Sequence, residues 1–142
     1  MFEQCLYFNT TALARVLDRE WSVAFARFDL TPPQAFLLRA VLAQPGQSPH
    51  QLAALLVIAR PTVTRLLDGL ERKGLITRRG AEQDRRGVVV LPTDAACAQA
   101  EALNAAAGAV TARLRAQFGE EIFRTVVAQL RHLRHGLDDP AD

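Results

Sequence analysis

The chain contains few of the residues and runs that mark secreted or membrane proteins. Its only cysteines, Cys5 and Cys97, form neither a disulfide framework nor a paired metal motif, and such sparse usage is typical of a reducing cytosol. The longest apolar run, from Leu52 to Ala59, is too short to cross a bilayer. The amino terminus begins MFEQC and is not followed by a signal-type apolar segment. We therefore expect a cytoplasmic protein without a membrane partner.

Motifs of catalysis are missing as well. The sequence has no nucleophile elbow, no glycine-rich phosphate loop and no pair of carboxylates at a catalytic spacing. His132 and His135 stand three residues apart, but no third ligand of a suitable type lies close in sequence. They suit the carboxyl end of a helix, where positive charge is stabilised. We expect no enzymatic activity, no cofactor and no metal site.

Lysine is almost absent, because Lys73 is the single lysine among 17 basic residues. This bias runs along the whole chain, so we ascribe it to genome composition. The basic residues are nevertheless unevenly placed. Residues 60–86 hold eight basic and four acidic side chains, a net charge of +4 in a chain whose total is +2. A positive stripe on one short segment is typical of a surface that meets phosphates.

The length and apolar content predict a single domain, residues 1–142, with its own core. Helical spacing of apolar residues, and the cap-then-proline pairs Thr31-Pro32 and Ser48-Pro49, predict six helices. Two short β-prone runs joined by a polar tip predict a hairpin. The expected helices cover about residues 4–28, 32–43, 49–56, 61–74, 94–117 and 120–135, and the expected strands are Ile76–Arg79 and Val88–Leu91.

The fourth of these helices has two contrasting faces. On a wheel at about 100° per residue, Val63, Leu66, Leu67 and Leu70 form one apolar band. The opposite side and its flanks carry Thr62, Thr64, Arg65, Asp68, Gly69 and Arg72. Threonine can bond a phosphate or touch a thymine methyl, and arginine can grip guanine in the major groove. By itself the pattern also fits an ordinary amphipathic surface helix.

The neighbouring elements favour a nucleic-acid surface. The short third helix, the turn at Val57–Arg60 and the fourth helix have helix-turn-helix dimensions, and the hairpin would add a wing. At its tip, Arg85 and Arg86 would project towards a narrow minor groove, whose negative potential attracts them. Asp84 cannot bind phosphate, so we interpret it as a partner that orients a nearby arginine. The alternative for the tip arginines is that they are solvated loop charges.

The stretch RPTVTRLLDGLERKGLITR, followed by DRRGVVV, resembles the recognition helix and wing of the MarR family of transcriptional regulators. The order of six helices around a winged core is similar over essentially the whole chain. The resemblance implies a mainly α fold with a small β-hairpin wing, in which residues 31–92 form the winged helix-turn-helix core and residues 1–30 and 93–142 form dimerisation helices. The chain departs from the family at Ala59-Arg60, which supplies no capping side chain, and at Pro92-Thr93-Asp94 after the wing.

The same resemblance implies specific binding to double-stranded DNA. Thr62, Thr64 and Arg65 would read the major groove, Arg86 would probe the minor groove, and the start of the third helix would lie near phosphates. With the other basic side chains of the segment, the candidate DNA-binding residues are Ser48, His50, Thr62, Thr64, Arg65, Arg72, Arg78, Arg79, Arg85 and Arg86.

The first, fifth and sixth helices carry more apolar residues than a domain of this size needs. The resemblance implies that they join two subunits in a homodimer, which would place two recognition helices on a pseudo-palindromic operator. Members of the family commonly bind small aromatic or phenolic acids between these helices and the winged core, and many are repressors. Trp21, Phe25, Phe28 and Phe36 are placed to line such a cleft, although all four also suit an ordinary core.

Two alternatives stay open. One branch of the family senses peroxides through a cysteine in its first helix, and Cys5 lies slightly earlier in the chain than that position. The residues beside Cys5 give no reason to expect an activated thiol. The second alternative is a winged-helix module that binds proteins and not DNA. Such a module would not need the basic wing, and salt-sensitive binding to a duplex would separate the two.

Overall fold

The computed structural model describes residues 1–81 and 84–138, without the side chains of residues 81 and 84–86. The described chain has the six helices and the hairpin that the sequence predicts. In order they are α1 Leu6–Phe25, α2 Pro32–Ala43, α3 Pro49–Leu56, α4 Arg60–Arg72, β1 Ile76–Ala81, β2 Asp84–Pro92, α5 Asp94–Phe118 and α6 Glu120–Asp138. A 3-10 turn, Ala26–Phe28, follows α1 directly, which explains why the helical spacing in the sequence continues to Phe28.

Capping boxes begin α2 and α3 where the sequence predicts them. The hydroxyl of Thr31 accepts from the backbone N–H of Gln34, whose side-chain oxygen accepts from the backbone N–H of Thr31. Ser48 and Gln51 repeat this arrangement at α3. Each box satisfies amide groups that the start of a helix leaves without partners. At α4, Ala59 makes no side-chain cap bond, as its sequence indicates.

A left-handed residue closes α3 and turns the chain towards α4. Val57 has φ 55° and ψ 48°, and its side chain is half exposed. Its backbone N–H donates to the last carbonyls of α3, and the N–H of Ile58 donates to the carbonyl of Ala53 at 3.1 Å. A β-branched residue rarely adopts this conformation. The helix-turn-helix turn therefore holds a locally strained residue.

The core lies where α2, α3, α4 and the hairpin pack on one another. Leu37 and Val41 of α2, Leu67 and Leu70 of α4, and Val90 of β2 are buried to 1% exposure or less. Each such aliphatic side chain stabilises the fold by roughly 1.5–3 kcal/mol relative to an exposed position. Because this packing occupies one side of α4, it leaves the opposite side of that helix to solvent.

The wing is longer than the sequence predicts and has an additional partner at its base. β1 and β2 pair antiparallel with Arg78 opposite Val90, and both strands extend further towards the tip than the apolar runs indicated. The loop before α3 also joins β2. Gly46 N–H donates to the carbonyl of Val90, and Val90 N–H donates to the carbonyl of Gln47, both at 2.9 Å. This bridge links the wing to the start of the helix-turn-helix.

Contacts divide the chain into two compact units, Met1–Ala107 and Gly108–Asp142. The boundary falls inside α5, whereas the sequence predicts that the second dimerisation segment begins at residue 93. In the second unit, α6 has no buried residue. Its exposed apolar side chains are Ile122, Val126, Val127, Leu130, Leu133 and Leu137. Within residues 1–81 and 84–138, no helix combines the length and apolar character that crossing a membrane requires.

Candidate nucleic-acid interface

The outward side of α4 presents hydroxyl and guanidinium groups to solvent. Thr64 and Arg65 are exposed and Thr62 is partly exposed, while Val63 and Leu67 between them are buried. Thr64 Oγ1 donates to the carbonyl of Arg60 at 3.1 Å, so its hydroxyl is already oriented along the helix. Among the described residues Arg65 has no hydrogen bond or ion pair. Its guanidinium therefore keeps its donors for an acceptor outside the chain.

Gly69 lies on the opposite side from the one that the helical wheel predicts. It is buried against α2, and a Cβ at this position would stand 2.9 Å from Nε2 of Gln34. The helical wheel placed Gly69 on the outward side of α4 because only large apolar side chains were used to define the buried side. The packed face of α4 is wider than the apolar band, since α4 contacts α2 as well as α3. Only a residue without a side chain allows so close an approach.

The start of α3 faces the start of α4. Ser48 uses its hydroxyl in the capping box, where Oγ accepts from Gln51 N–H at 3.2 Å. His50, on the first turn of α3, is exposed, and its Nδ1 lies 2.8 Å from Nη2 of Arg60. Arg60 was not among the candidate DNA-binding residues, because its partner His50 lies ten positions away on another helix. The structure shows Arg60 as an exposed cation of α4, in addition to Arg65.

Arg78 is held between two carboxylates of α4. Its Nη2 donates to Oδ1 of Asp68 at 2.7 Å and to Oε2 of Glu71 at 2.5 Å, and its side chain is 27% exposed. These hydrogen bonds raise the pKa of Arg78 above its ordinary value and lower the pKa of Glu71 below its own. The guanidinium thus has internal partners before any phosphate approaches. Its expected role in DNA binding is untested, and its geometry links β1 to α4.

Lys73 is also engaged inside the protein. Its Nζ donates to the carbonyl of Asp29 and lies 3.3 Å from the Asp29 carboxylate, which joins the end of α4 to the turn before α2. Of the basic residues counted in the sequence, Lys73 and Arg78 are therefore neutralised. Arg72 Nε donates to the carbonyl of Asp68 at 3.3 Å, and Arg79 is exposed on β1.

The side chains at the tip of the wing lie outside the part of the chain that the structure describes. The backbones of Asp84, Arg85 and Arg86 belong to β2. The predictions that Arg85 and Arg86 face a minor groove, and that Asp84 orients one of them, fall on side chains outside the described residues. These three assignments stay predictions.

The four aromatic residues proposed for a ligand cleft are divided between core and surface. Phe25 is fully buried, with its ring edge-on to Phe36 at 5.9 Å, and Trp21 lies 6.4 Å from Phe36. Phe36 is 38% exposed. Phe28 packs partly against the core, with the guanidinium of Arg27 over its ring at 4.7 Å. Nε1 of Trp21 is buried without a hydrogen-bond acceptor among the described residues.

A small cavity of about 320 Å³ lies between α2 and the first part of α5, and Arg39, Leu42, Cys97 and Asn104 contribute to its lining. Arg39 Nε donates to Oδ1 of Asn104 at 2.8 Å, and burial lowers the pKa of Arg39. Cys97 and Cys5 are both exposed free thiols.

Comparison with known proteins agrees with this geometry. Residues 28–87 match the family described as MarR family. The fold is similar to the transcriptional repressor CouR bound to a 23-mer DNA duplex, at 24% identity, with 94% of each chain covered and a TM-score of 0.85. It is similar to MepR of S. aureus in a complex with DNA, at 26% identity, covering 94% of this chain and 99% of that chain, with a TM-score of 0.84. A MarR protein from Peptoclostridium difficile matches at 18% identity, covering 95% of this chain and 88% of that chain, with a TM-score of 0.84.

A helix-turn-helix followed directly by a two-stranded wing defines the winged helix-turn-helix class. Within that class, the match over residues 28–87 shows that the chain resembles the MarR family.

Proposed function

We propose that the chain is a transcriptional regulator of the MarR family that binds a specific double-stranded DNA sequence as a homodimer. It acts in the cytoplasm as a repressor and leaves its operator when a small ligand binds. In this proposal α4 enters the major groove, the wing lies over the adjacent minor groove, and the start of α3 contacts phosphates. The similar fold of CouR and MepR, whose structures contain DNA, supports the proposed binding to a duplex.

The observation that carries the proposal is that Arg65, on the outward side of α4, has no hydrogen bond or ion pair within the part of the chain that the structure describes. Asp68 and Glu71, the two acids of this helix, are both occupied by Arg78. Because those carboxylates are held, they do not neutralise Arg65 one turn away, and Thr62 and Thr64 flank its guanidinium. A solvated face without function would more commonly pair its arginines with the acids of its own helix.

Dimerisation is supported by the exposed apolar residues of α1 and α6. Leu13, Val16 and Val23 of α1 are 41–79% exposed, and the apolar stripe of α6 is 38–80% exposed. A contiguous stripe of this kind marks an interaction surface more often than a free one. In a homodimer these apolar surfaces would be buried, and the two-fold axis would set two copies of α4 about one turn of duplex apart.

Ligand control is supported by Trp21. Burying an indole N–H without an acceptor has a cost that an acceptor would remove, and a small acid bearing a carboxylate or phenolic oxygen could supply one. The neighbouring ring of Phe36 is partly exposed and would contact an aromatic ligand. We propose this cluster as one wall of the ligand site.

The experiment that tests DNA binding is selection of bound duplexes from a random pool, followed by a salt titration with the selected duplex. A regulator that contacts several phosphates should lose affinity steeply as salt rises. The matched control is Arg131→Ala, which removes an exposed arginine from the polar side of α6 and should leave the slope unchanged. A protein-interaction module would enrich no sequence and show no salt-sensitive duplex binding.

A further inference from the structure

His50 and Arg60 form a hydrogen bond that depends on the protonation of His50. The two atoms, Nδ1 of His50 and Nη2 of Arg60, are 2.8 Å apart. Arginine is only a donor, so Nδ1 must be the acceptor, and the imidazole must be neutral with its proton on Nε2. The bond crosses the helix-turn-helix from the first turn of α3 to the first residue of α4. It therefore fixes the direction in which Arg60 points.

No carboxylate among the described residues compensates a charge on His50. α3 contains no other charged residue, and the one charged residue of α2, Arg39, donates to Asn104 instead. The next cation of α4 is Arg65, and β2 carries no charged residue between Gly87 and Pro92. The side chains of residues 84–86 are outside the described part. A protonated His50 would consequently face Arg60 as a second cation.

We propose that neutral His50 is a positioning residue that holds Arg60 against the DNA backbone, and that protonation of His50 adds a second phosphate-binding cation. The inference rests on the proposed DNA-binding function. An imidazolium ion has no lone pair to accept from Arg60, so protonation breaks the bond and leaves two separate cations. Nearby phosphates stabilise both. Duplex binding is therefore coupled to proton uptake and becomes tighter as pH falls.

The test compares the wild type with His50→Asn and His50→Leu. Asparagine places an acceptor oxygen close to the position of Nδ1 but does not titrate, whereas leucine offers no acceptor. Because His50 is exposed, neither change removes core packing. The matched control is His135→Asn, which makes the same change at an exposed histidine of α6, far in sequence from the helix-turn-helix.

The measurement is fluorescence anisotropy of a labelled mixed-sequence duplex of about two helical turns, titrated with salt at about pH 7.5 and about pH 5.5. The slope of log affinity against log salt should steepen by about one at the lower pH for the wild type and for His135→Asn, as expected for one more phosphate contact. The His50→Asn protein should lack this change. At the higher pH, His50→Leu should bind severalfold more weakly than the wild type, and His50→Asn should restore most of the affinity.

The outcomes separate this inference from the proposed function. If the wild type binds duplex with a steep salt slope but His50→Asn shows the same pH dependence, the inference is wrong and the DNA-binding function stands. Equal weakening in His50→Leu and His50→Asn would contradict the positioning role. Absence of duplex binding at both pH values would overturn both. Nitrogen NMR gives a reading without DNA: a neutral His50 ring protonated on Nδ1 would rule out the hydrogen bond on which the inference depends.

Discussion

Arg78 of β1 donates to Asp68 of α4 across 2.7 Å, so the wing and α4 are joined by an ion pair. Glu71, one turn further along α4, accepts from the same guanidinium nitrogen. Because both carboxylates bind Arg78, Arg65 has no acidic partner on α4 among the described residues, and the contact also keeps the base of the wing against the helix. Arg78 belongs to the basic segment of the sequence, but in the folded protein its charge is paired with acids. Its contribution is to hold the wing against α4.

The pH dependence of stability should report the Arg78–Glu71 contact. The pKa of Glu71 is lowered in the folded protein by its hydrogen bond from Arg78, so the contact stabilises the fold above the ordinary carboxyl value of 4.5 and is lost as pH falls through the lowered value. The change Glu71→Gln should therefore destabilise the protein at neutral pH and have no effect in strong acid. The urea concentration at the midpoint of unfolding, measured for the wild type and for Glu71→Gln over a range of pH, tests this prediction.

The control for that measurement is Glu101→Gln, which changes an exposed glutamate of α5 without a contact among the described residues. Its difference from the wild type should stay near zero at every pH. A Glu71→Gln effect that persists unchanged below the titration range would assign the stabilisation to something other than the charge of Glu71.

Arg65 and Arg79 should have separable effects on DNA binding. Arg65→Ala should remove about 1–3 kcal/mol of discrimination between the selected duplex and one altered in the bases it reads, because a bidentate contact to a base edge is lost. Arg79→Ala, on the exposed side of β1, should weaken all duplexes alike and reduce the salt slope by about one. The affinity of each variant for the selected and the altered duplex, measured over a series of salt concentrations, tests this difference between Arg65 and Arg79. Equal loss of discrimination from the two changes would contradict it.

Val57→Gly should stabilise the protein. Left-handed backbone costs a residue with a side chain roughly 1–2 kcal/mol, and glycine avoids this cost but loses roughly 0.5–1 kcal/mol through unfolded-chain entropy. The half-exposed Val57 side chain contributes little packing, so we expect a net gain of about 0.5–1 kcal/mol. Thermal unfolding measures it. Ala54→Gly, at an exposed helical position of α3, should instead destabilise by about as much.

Val126→Asp should dissociate the proposed homodimer. The side chain is 44% exposed in the single chain, so its replacement costs the folded subunit little, whereas an interface would have to bury the new carboxylate. Two symmetric copies of a change worth about 1.4 kcal/mol each weaken the dimer about a hundredfold. Light scattering at micromolar concentration measures whether each protein is a monomer or a dimer. Ala128→Asp, on the polar side of α6, should remain dimeric, and a wild-type monomer would refute the proposal.

Local signals in the sequence located the helix starts accurately. The pairs Thr31-Pro32 and Ser48-Pro49 became capping boxes because the glutamine three residues after each cap lies within reach of the cap's own backbone N–H. Apolar spacing predicted which side of α4 is buried at Val63 and Leu67. These features depend on residues within about one helical turn, so the sequence contains all of their partners.

The contacts that shape the candidate site join residues far apart in sequence. Arg78 reaches back ten residues to Asp68, Lys73 reaches back 44 residues to Asp29, and His50 meets Arg60 across the turn. Charge counting could not tell which cations were already paired, since pairing depends on how the helices cross. Gly69 was misplaced for the same reason, because its burial follows from the approach of Gln34 on another helix.

The amino-acid sequence alone determined the order of helices and strands, the cationic character of one segment and the resemblance to the MarR family. Each of these follows from short-range periodicity, capping and composition. Tertiary structure decided which charges remain available: it paired Arg78 and Lys73 with acids, whereas Arg65 has no acidic partner among residues 1–80 and 87–138. It also joined His50 to Arg60. The physical reason is that electrostatic availability depends on distances between elements, and only packing sets those distances.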